Sequence, residues 1–195
     1  YMEVLLASKS PRRRQLLSLI FKEFRSVTSD FDESTVAENN PEELVKRLSF
    51  CKASAVSGRK EQLIIGADTV GVSPQNRVFG IPPDGSAAYE MLQTLSGKKH
   101  RVMTGVTLLY QGEVLTFCSK TDVYFRSLEE EEIWDYIRSG EPFDKAGGYG
   151  IQGKAAIFVK KIDGDFYNVM GLPVTDLYLA VQQLVRKKII NFKNS

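Results

Sequence analysis

Residues 62–69 read QLIIGADT, a nearly continuous apolar run that leads through a glycine and an alanine to a carboxylate. Such a run is typical of a β-strand that is buried on both faces of a sheet covered by helices. We therefore predict a strand over Gln62–Ala67, with Asp68 immediately beyond its end. An acidic side chain at that edge of an α/β sheet lies where such folds bind ligands.

Helical and extended patterns alternate on both sides of this strand. Capping residues precede Pro11 and Pro41, which predicts two helix starts, and the second helix is expected to stop at Gly58. A glycine-containing turn joins two long predicted strands, His100–Tyr110 and Val114–Phe125, as a hairpin. The other predicted elements are strands at Glu3–Ala7, Phe24–Thr28 and Ala155–Ile162 and helices that start at Asp84, Ser127 and Pro173. No linker or repeat interrupts residues 1–195, so we predict a single α/β domain whose sheet is flanked by helices.

The composition excludes several classes of protein. The chain has 195 residues, is 43% hydrophobic and has a net charge of +2, with 26 basic and 24 acidic residues. This is ordinary globular composition, and so balanced a charge gives no overall attraction to nucleic acids or membranes. A signal-peptide pattern and a membrane-length apolar run are both lacking, and the two cysteines suggest buried thiols in a reducing compartment. We therefore expect a soluble cytoplasmic protein.

The chain has a single histidine, which excludes a zinc site built from several histidines. If the protein uses a metal ion, its ligands are expected to be carboxylates and substrate phosphates. Such ligands favour Mg²⁺ or Mn²⁺.

The segment SKSPRRR, residues 8–14, combines small hydroxyl residues, a predicted helix start and three arginines. Free backbone donors and the positive end of the helix dipole favour a phosphate at such a start. Three cations in the first turn oppose the dipole, and a bound anion would compensate them. The segment therefore predicts phosphate binding, with a solvated basic turn as the alternative.

Two other charged side chains are candidates, and each has a structural alternative. The Asp68 carboxylate could hold a divalent ion or accept a proton from water, but an aspartate that follows a strand also commonly forms a turn. Lys52 falls on the apolar stripe of its helix, from which its amine extends either into solvent or toward a phosphate at the rim of a cleft. The pattern by itself favours the solvent alternative for Lys52.

Residues 144–153 read DKAGGYGIQG and contain four glycines within seven positions. Glycines permit a close backbone approach to a ligand, but they also form irregular loops. The spacing matches neither a P-loop nor a dinucleotide-binding motif, so the stretch alone is a weak signal.

Taken together, these segments resemble the Maf family of nucleoside triphosphate pyrophosphatases, nearly from end to end. The segments that carry the resemblance are LLASKSPRR (5–13), DE (32–33), KA (52–53), GADTV (66–70), LSG (95–97), DKAGGYGIQG (144–153) and GLPV (171–174). The resemblance implies one curved, mixed sheet flanked by helices, with two lobes and a cleft between them. It also implies cleavage between the α and β phosphates of a nucleoside triphosphate with the help of Mg²⁺, Mn²⁺ or Co²⁺.

The resemblance further implies roles for individual residues. It implies Asp68 as the catalytic base or metal-linked carboxylate, with Lys52 as a second catalytic residue and Glu33 as a second metal ligand. The substrate-binding positions that it implies are Ser8, Arg12, Arg13, Glu33, Thr69 and Gln152. Among these, Arg12, Thr69 and Gln152 match the subgroup that takes dTTP and UTP.

One position departs from the family pattern. Members usually carry a site lysine before the proline of residues 80–82, where this chain has Ile81. Losing such a donor typically costs about 2.7–4 kcal/mol of transition-state stabilisation.

Two hypotheses follow. The first is a metal-dependent pyrophosphatase that acts on pyrimidine nucleotides. The second is a nucleotide-binding protein with weak turnover that acts through a cell-division partner, as the family's association with septum formation suggests. The expected partner is the nucleoside triphosphate substrate, with no nucleic acid and no membrane, and a homodimer is the assembly considered.

Overall fold

The computed structural model describes residues 2–28, 30–56, 61–187 and 189–191. The strands found there are β1 (Glu3–Ala7), β2 (Arg25–Ser26), β3 (Gln62–Val72), β4 (Val78–Phe79), β5 (Lys99–Tyr110), β6 (Glu113–Phe125) and β7 (Val159–Asp163). The α-helices found there are α1 (Pro11–Leu17), α2 (Pro41–Ser54), α3 (Gly85–Leu95), α4 (Glu130–Arg138), α5 (Phe166–Met170) and α6 (Val174–Arg186). Within the described residues the strands form one seven-stranded sheet in the order β2-β1-β3-β5-β6-β7, with β4 paired to β3. The predicted mixed sheet flanked by helices is confirmed.

Strand β3 is the element from which the site is built. It pairs in parallel with β1, where Ala7 lies opposite Gly66, and its residues are buried except for the half-buried Thr69. The predicted strand buried on both faces is therefore confirmed, but its predicted end at Ala67 is wrong. Antiparallel pairing with β4 extends β3 to Val72, so Asp68 lies inside the strand.

Other predicted boundaries also differ from the structure. Strand β2 is only two residues long, because just two residues of β1 pair with it. The residues before β7 form a 3₁₀ helix, Lys154–Phe158, instead of the start of a strand. The predicted start of α4 at Ser127 is wrong, because its N-cap is Glu129, which forms a capping box with Glu132. Helix α2 ends at Ser54, and the predicted stop at Gly58 lies outside the described residues.

The described residues pack into two compact units. The first unit takes residues from 1–68, 104–119 and 171–195, and the second from 69–103 and 120–170. Each unit has apolar core residues of its own, including Leu5, Ala53 and Ile64 in the first and Phe125 and Phe158 in the second. Strands β3, β5 and β6 contribute residues to both units. In the described part of the chain, no helix has the length and apolar character needed to span a membrane.

Candidate active site

Three charged side chains of the first unit meet at Lys52. Its Nζ atom lies 2.5 Å from Asp68 Oδ1 and 2.8 Å from Glu33 Oε1. The Lys52 and Asp68 side chains are 14% and 8% exposed, whereas the Glu33 side chain is 56% exposed. The ammonium therefore bridges one buried carboxylate and one carboxylate that solvent can reach. The expectation that the Lys52 amine extends into solvent is wrong, because two carboxylates hold it.

Glycines allow α2 to lie directly against the sheet beside this cluster. A Cβ atom on Gly66 would stand 2.2 Å from the carbonyl oxygen of Ser49 in α2, and one on Gly105 would stand 2.2 Å from another carbonyl of that helix. Real side chains do not fit at such distances, so both positions need glycine. Alternate residues of a strand share a face, so Asp68 points to the same side as Gly66. The close helix therefore brings Lys52 to the Asp68 carboxylate.

Glu33 reaches Lys52 from a single 3₁₀ turn, Glu33–Thr35. Asp32 caps this turn, because its carboxylate accepts hydrogen bonds from the Ser34 hydroxyl at 2.7 Å and from the Ser34 backbone N–H at 3.0 Å. These bonds, with the hydroxyl contributing most, lower the pKa of Asp32 from its ordinary value. The two adjacent acids therefore differ in their contacts: Asp32 caps the 3₁₀ turn, whereas Glu33 binds the Lys52 ammonium.

Arg13 brings a second cation into the first unit. Its Nε atom donates to the carbonyl oxygen of Gly171 at 2.8 Å, and Gly171 has a φ of +121°, a conformation that favours glycine. Burial lowers the pKa of Arg13 from its usual value, the charges of Asp68 and Glu33 oppose that shift, and Arg12 adds to it. The two carboxylates that bind Lys52 therefore also act electrostatically on Arg13. A guanidinium keeps its charge at any physiological pH.

The turn before α1 fixes Ser8 and the start of the arginine segment. Ser8 is buried, and its hydroxyl accepts a hydrogen bond from the Ser10 backbone N–H at 3.1 Å. Ser10 caps α1 by accepting from the Arg13 backbone N–H at 3.4 Å, and Pro11 is the first helical residue. The predicted helix start is confirmed. Arg12 is half-buried, and Ser8 and Arg12 belong to the same unit as Lys52 and Asp68.

The remaining predicted site residues belong to the second unit. Thr69 follows Asp68 in β3, and Gln152 is exposed in the turn between the buried Ile151 and the 3₁₀ helix that follows. Ile81 is also exposed, at 56%, so the position where the family carries a lysine faces solvent. The Gly147 N–H donates to the Gly80 carbonyl at 3.1 Å. This bond ties the loop that carries Gln152 to the segment that carries Ile81.

A buried pair in the second unit was missed by sequence reasoning. His100 Nε2 lies 2.6 Å from the Tyr149 hydroxyl, and the two residues are 3% and 8% exposed. The His100 ring also makes an edge contact with Phe125 at 5.0 Å between centroids. His100 and Tyr149 line a cavity of about 30 Å³ together with Thr69 and other residues. Nothing local in the sequence connects a strand histidine to a loop tyrosine 49 positions away.

Two further expectations are corrected by the structure. The alternative in which Asp68 forms a turn is wrong, because Asp68 lies within β3 and its carboxylate accepts a hydrogen bond from Lys52. Cys51 and Cys118 are free thiols, but they are half-buried and not buried. Cys51 lies in α2 and Cys118 in β6.

The donor chemistry of the cluster fits a hard divalent cation. In the described ranges, no group of three or more histidine, cysteine, aspartate or glutamate side chains could hold a metal ion. Mg²⁺ characteristically binds one or two carboxylates together with substrate phosphates and water, so it needs no such group. Asp68 and Glu33 contact Lys52 through Oδ1 and Oε1. In such a mode of binding, these two carboxylates would be the protein's oxygen ligands.

The model of the family described as "Maf-like protein" matches residues 3–184, which include the whole cluster around Lys52 and the loop that carries Gln152. The chain belongs to the Maf family.

Curated Maf relatives resemble this chain over most of its length. It is 48% identical over 180 residues to the dTTP/UTP pyrophosphatase of Bacillus cytotoxicus, covering 92% of this chain and 94% of the relative. It is 45% identical over 177 residues to the dTTP/UTP pyrophosphatase of Thermosipho africanus, covering 91% of each. The Maf fold is also similar to a solved structure of a HAM1 protein from Coxiella burnetii, with a TM-score of 0.52 at 12% identity over 94% of this chain and all of that one. This last likeness concerns the fold alone.

Proposed function

We propose that this Maf-family protein hydrolyses dTTP and UTP between their α and β phosphates, releasing a nucleoside monophosphate and pyrophosphate. Relatives named dTTP/UTP pyrophosphatase support this activity, because they are nearly half identical to the chain over more than nine tenths of its length. The observation that carries the proposal is the cluster of Lys52, Asp68 and Glu33. It places a cation, Lys52, within hydrogen-bond distance of a proton acceptor, Asp68, and of a second acid, Glu33.

In the proposed reaction, the Asp68 carboxylate accepts a proton from a water molecule. The water oxygen forms a bond to the α phosphorus while the bond from that phosphorus to the bridging oxygen breaks, and pyrophosphate leaves with the electron pair. Lys52 and Arg13 neutralise the charge that develops on the phosphate oxygens. Lys52 also holds the Asp68 carboxylate in one position, since its ammonium binds Oδ1 at 2.5 Å.

The other predicted residues bind the substrate in this proposal. Ser8, Arg12 and Arg13 bind phosphate groups, because the hydroxyl and the two guanidinium groups lie on the turn before α1 and its first residues. Thr69 and Gln152 contribute to the choice of base. Glu33 is reachable by an incoming ligand, since its side chain is 56% exposed.

Asp68 and Glu33 would hold a divalent cation, Mg²⁺, Mn²⁺ or Co²⁺. Such an ion neutralises charge on the phosphates during their cleavage. In the structure the Lys52 ammonium contacts both carboxylates and so offsets the electrostatic repulsion between them.

Ile81 favours a second candidate function, a nucleotide-binding protein with weak turnover that acts through a partner. Where the family carries a cation, this chain presents an exposed apolar side chain. Binding would then persist without efficient cleavage, because the missing charge would matter most in the transition state.

A panel of nucleoside triphosphates separates these functions. Each nucleotide is incubated with Mg²⁺, Mn²⁺ or Co²⁺, and pyrophosphate and orthophosphate are assayed separately. We expect pyrophosphate, and not orthophosphate, from dTTP and UTP above other nucleotides. Equal release from all nucleotides, or orthophosphate alone, would overturn the proposed substrate and bond. Tight binding of dTTP without product would favour the second function.

A further inference from the structure

The loop of residues 145–153 is anchored at both ends but carries Gln152 on its exposed side. At its start, Lys145 Nζ donates to the Glu141 carbonyl at 2.8 Å. At its end, the Lys154 N–H donates to the Glu141 carboxylate at 3.1 Å. Gly147 and Gly148 have φ values of +78° and +74°. The loop therefore turns through a backbone conformation that residues other than glycine adopt only with strain.

His100 gives this loop a hydrogen bond to the sheet. His100 lies in β5, and its Nε2 atom lies 2.6 Å from the Tyr149 hydroxyl in the middle of the loop. The two rings also meet edge to face, with centroids 5.4 Å apart. We call this pair the His100–Tyr149 clamp. Tyr149 is followed in the same loop by the buried Ile151 and the exposed Gln152.

Both members of the clamp are neutral at physiological pH. Burial lowers the pKa of His100 to about 4, and burial raises the pKa of Tyr149 well above its ordinary value. The Tyr149 hydroxyl therefore keeps its proton and can donate a hydrogen bond to an unprotonated imidazole nitrogen. We assign Nε2 as the acceptor of the Tyr149 hydroxyl, which places the single ring hydrogen on Nδ1, a buried atom without a hydrogen-bond partner among the described residues. A neutral pair of this kind fixes geometry without contributing a charge to the reaction.

The clamp lines a cavity with Thr69 and shares its loop with Gln152, the two residues that are proposed to choose the base. The cavity of about 30 Å³ is lined by His100 and Tyr149 and also by Thr69 and Gly147. A shift of the loop would therefore change the space beside Thr69 and the position of Gln152 together. Asp68 and Lys52 are not among the residues that line this cavity, and they belong to the first unit.

We propose that His100, acting through Tyr149, is a positioning residue that sets the preference among nucleotide bases and leaves the rate of phosphoanhydride cleavage nearly unchanged. This inference rests on the proposed function. It extends that function, because it assigns selectivity to a buried pair that would touch neither the phosphates nor a metal ion.

Three variants test the clamp through kcat and KM for dTTP and dCTP. Tyr149→Phe removes the hydroxyl and keeps the ring, His100→Phe removes the acceptor, and His100→Gln keeps an acceptor. We expect Tyr149→Phe and His100→Phe to raise KM for dTTP by about 3- to 10-fold, the effect of one lost hydrogen bond, and to lower the dTTP-to-dCTP ratio of kcat/KM by a similar factor. We expect kcat for dTTP to stay within about 2-fold, and His100→Gln to remain near the unmodified protein. The double variant Tyr149→Phe/His100→Phe should be no worse than either single variant, because both remove the same bond.

A matched control separates positioning from simple loss of stability. Thr107→Val in the first unit removes a buried hydrogen bond to Ser49 at 2.8 Å and a partly buried one to Thr116 at 2.9 Å. It should lower the melting temperature and leave KM and the base preference unchanged. If Tyr149→Phe behaves like Thr107→Val, or lowers kcat with KM unchanged, the proposed positioning role is wrong.

Hydrogen exchange of the loop amides gives a readout that does not depend on catalysis. Amides of residues 146–153 should exchange faster in Tyr149→Phe than in the unmodified protein and in Thr107→Val, and unchanged exchange would overturn the clamp. If the unmodified protein cleaves no nucleotide, the proposed function fails by itself. The base preference is then read from Kd values for dTTP and dCTP by calorimetry, and a ratio that Tyr149→Phe leaves unchanged overturns the inference.

Discussion

The two units stabilise their polar groups in opposite ways. In the first unit, Lys52 and Asp68 are charged groups that lie within hydrogen-bond distance, with Arg13 in the same field. In the second unit, burial keeps His100 and Tyr149 in their neutral forms. Paired charges suit a site that handles phosphates, whereas neutral buried groups suit a region that fixes shape. Removing a charge from the first unit should therefore impair turnover, and removing a buried neutral group from the second should alter stability, selectivity or pH response.

The largest effect is expected where the first unit has least space, at Gly66. Gly66→Ala would place a methyl group 2.2 Å from the Ser49 carbonyl oxygen, which is backbone and cannot move alone. We expect unfolding free energy to fall by more than about 3 kcal/mol, together with activity, because α2 carries Lys52. Chemical denaturation measures the loss. Gly80→Ala in the second unit is the matched control, since no atom lies within 4 Å of its added methyl, and equal stability of the two variants would contradict the close helix–sheet contact.

Asp68→Asn tests the charge pair directly. We expect kcat for dTTP to fall by about 10²-fold or more while dTTP binding is largely retained, because the amide cannot accept a proton or serve well as a metal ligand. The same change at Asp122, which bonds Arg101 Nε at 2.6 Å in the second unit, should leave kcat within about 2-fold. Steady-state kinetics and calorimetry measure these effects. Near-normal turnover of Asp68→Asn would remove Asp68 from the proposed mechanism.

Local patterns predicted the elements but not the contacts between them. The apolar run that forms β3 and the start of α1 at Pro11 were predictable, because burial and capping depend on a few neighbouring residues. The extension of β3 past Asp68 was not, because it requires pairing with β4. Asp68 and Lys52 were candidates from their own patterns, but their contact joins residues 16 positions apart.

Longer-range contacts were even less accessible from the sequence. The bond between Arg13 and Gly171 joins residues 158 positions apart and depends on the complete fold of the first unit. The family resemblance named Arg13, Glu33 and Gln152 as site residues, but it gave no reason to select His100. That residue is defined by burial and by its partner Tyr149, which only the folded chain brings together.

The second unit should respond to acid through His100. Its pKa is about 4 in the folded protein against an ordinary value of 6.5, so the unfolded chain binds more protons between those values. Unfolding is therefore favoured as the pH falls from about 6.5 to 4, and the stabilisation is fully present above that window. We expect roughly 2–3 kcal/mol of unfolding free energy to be lost across it. The chain has one histidine, so this titration belongs to His100 alone among its histidines.

Denaturant titrations at pH 7, 5.5 and 4.5 measure that loss, with His100→Gln as the comparison. Glutamine does not titrate, so the variant should lose less stability over the same interval. The hydrogen bond from Arg101 lowers the pKa of Asp122 from its ordinary value. The stability that Asp122 contributes is therefore lost below the pH interval in which His100 acts. Identical pH dependence of the two proteins would show that burial does not keep His100 neutral.

The smallest effect is expected from adding a charge to the second unit at Ile81. Because Ile81 is 56% exposed, a lysine there keeps its ammonium in water, and Ile81→Lys should leave the melting temperature unchanged. If a cation at this position contacts the phosphates mainly in the transition state, kcat should rise by about 10-fold. Ile157→Lys is the matched control, since Ile157 is 66% exposed in the same unit and should change neither quantity. A stable Ile81→Lys protein with unchanged kcat would mean that the first unit, with Arg13 and Lys52, already supplies the positive charge that the reaction requires.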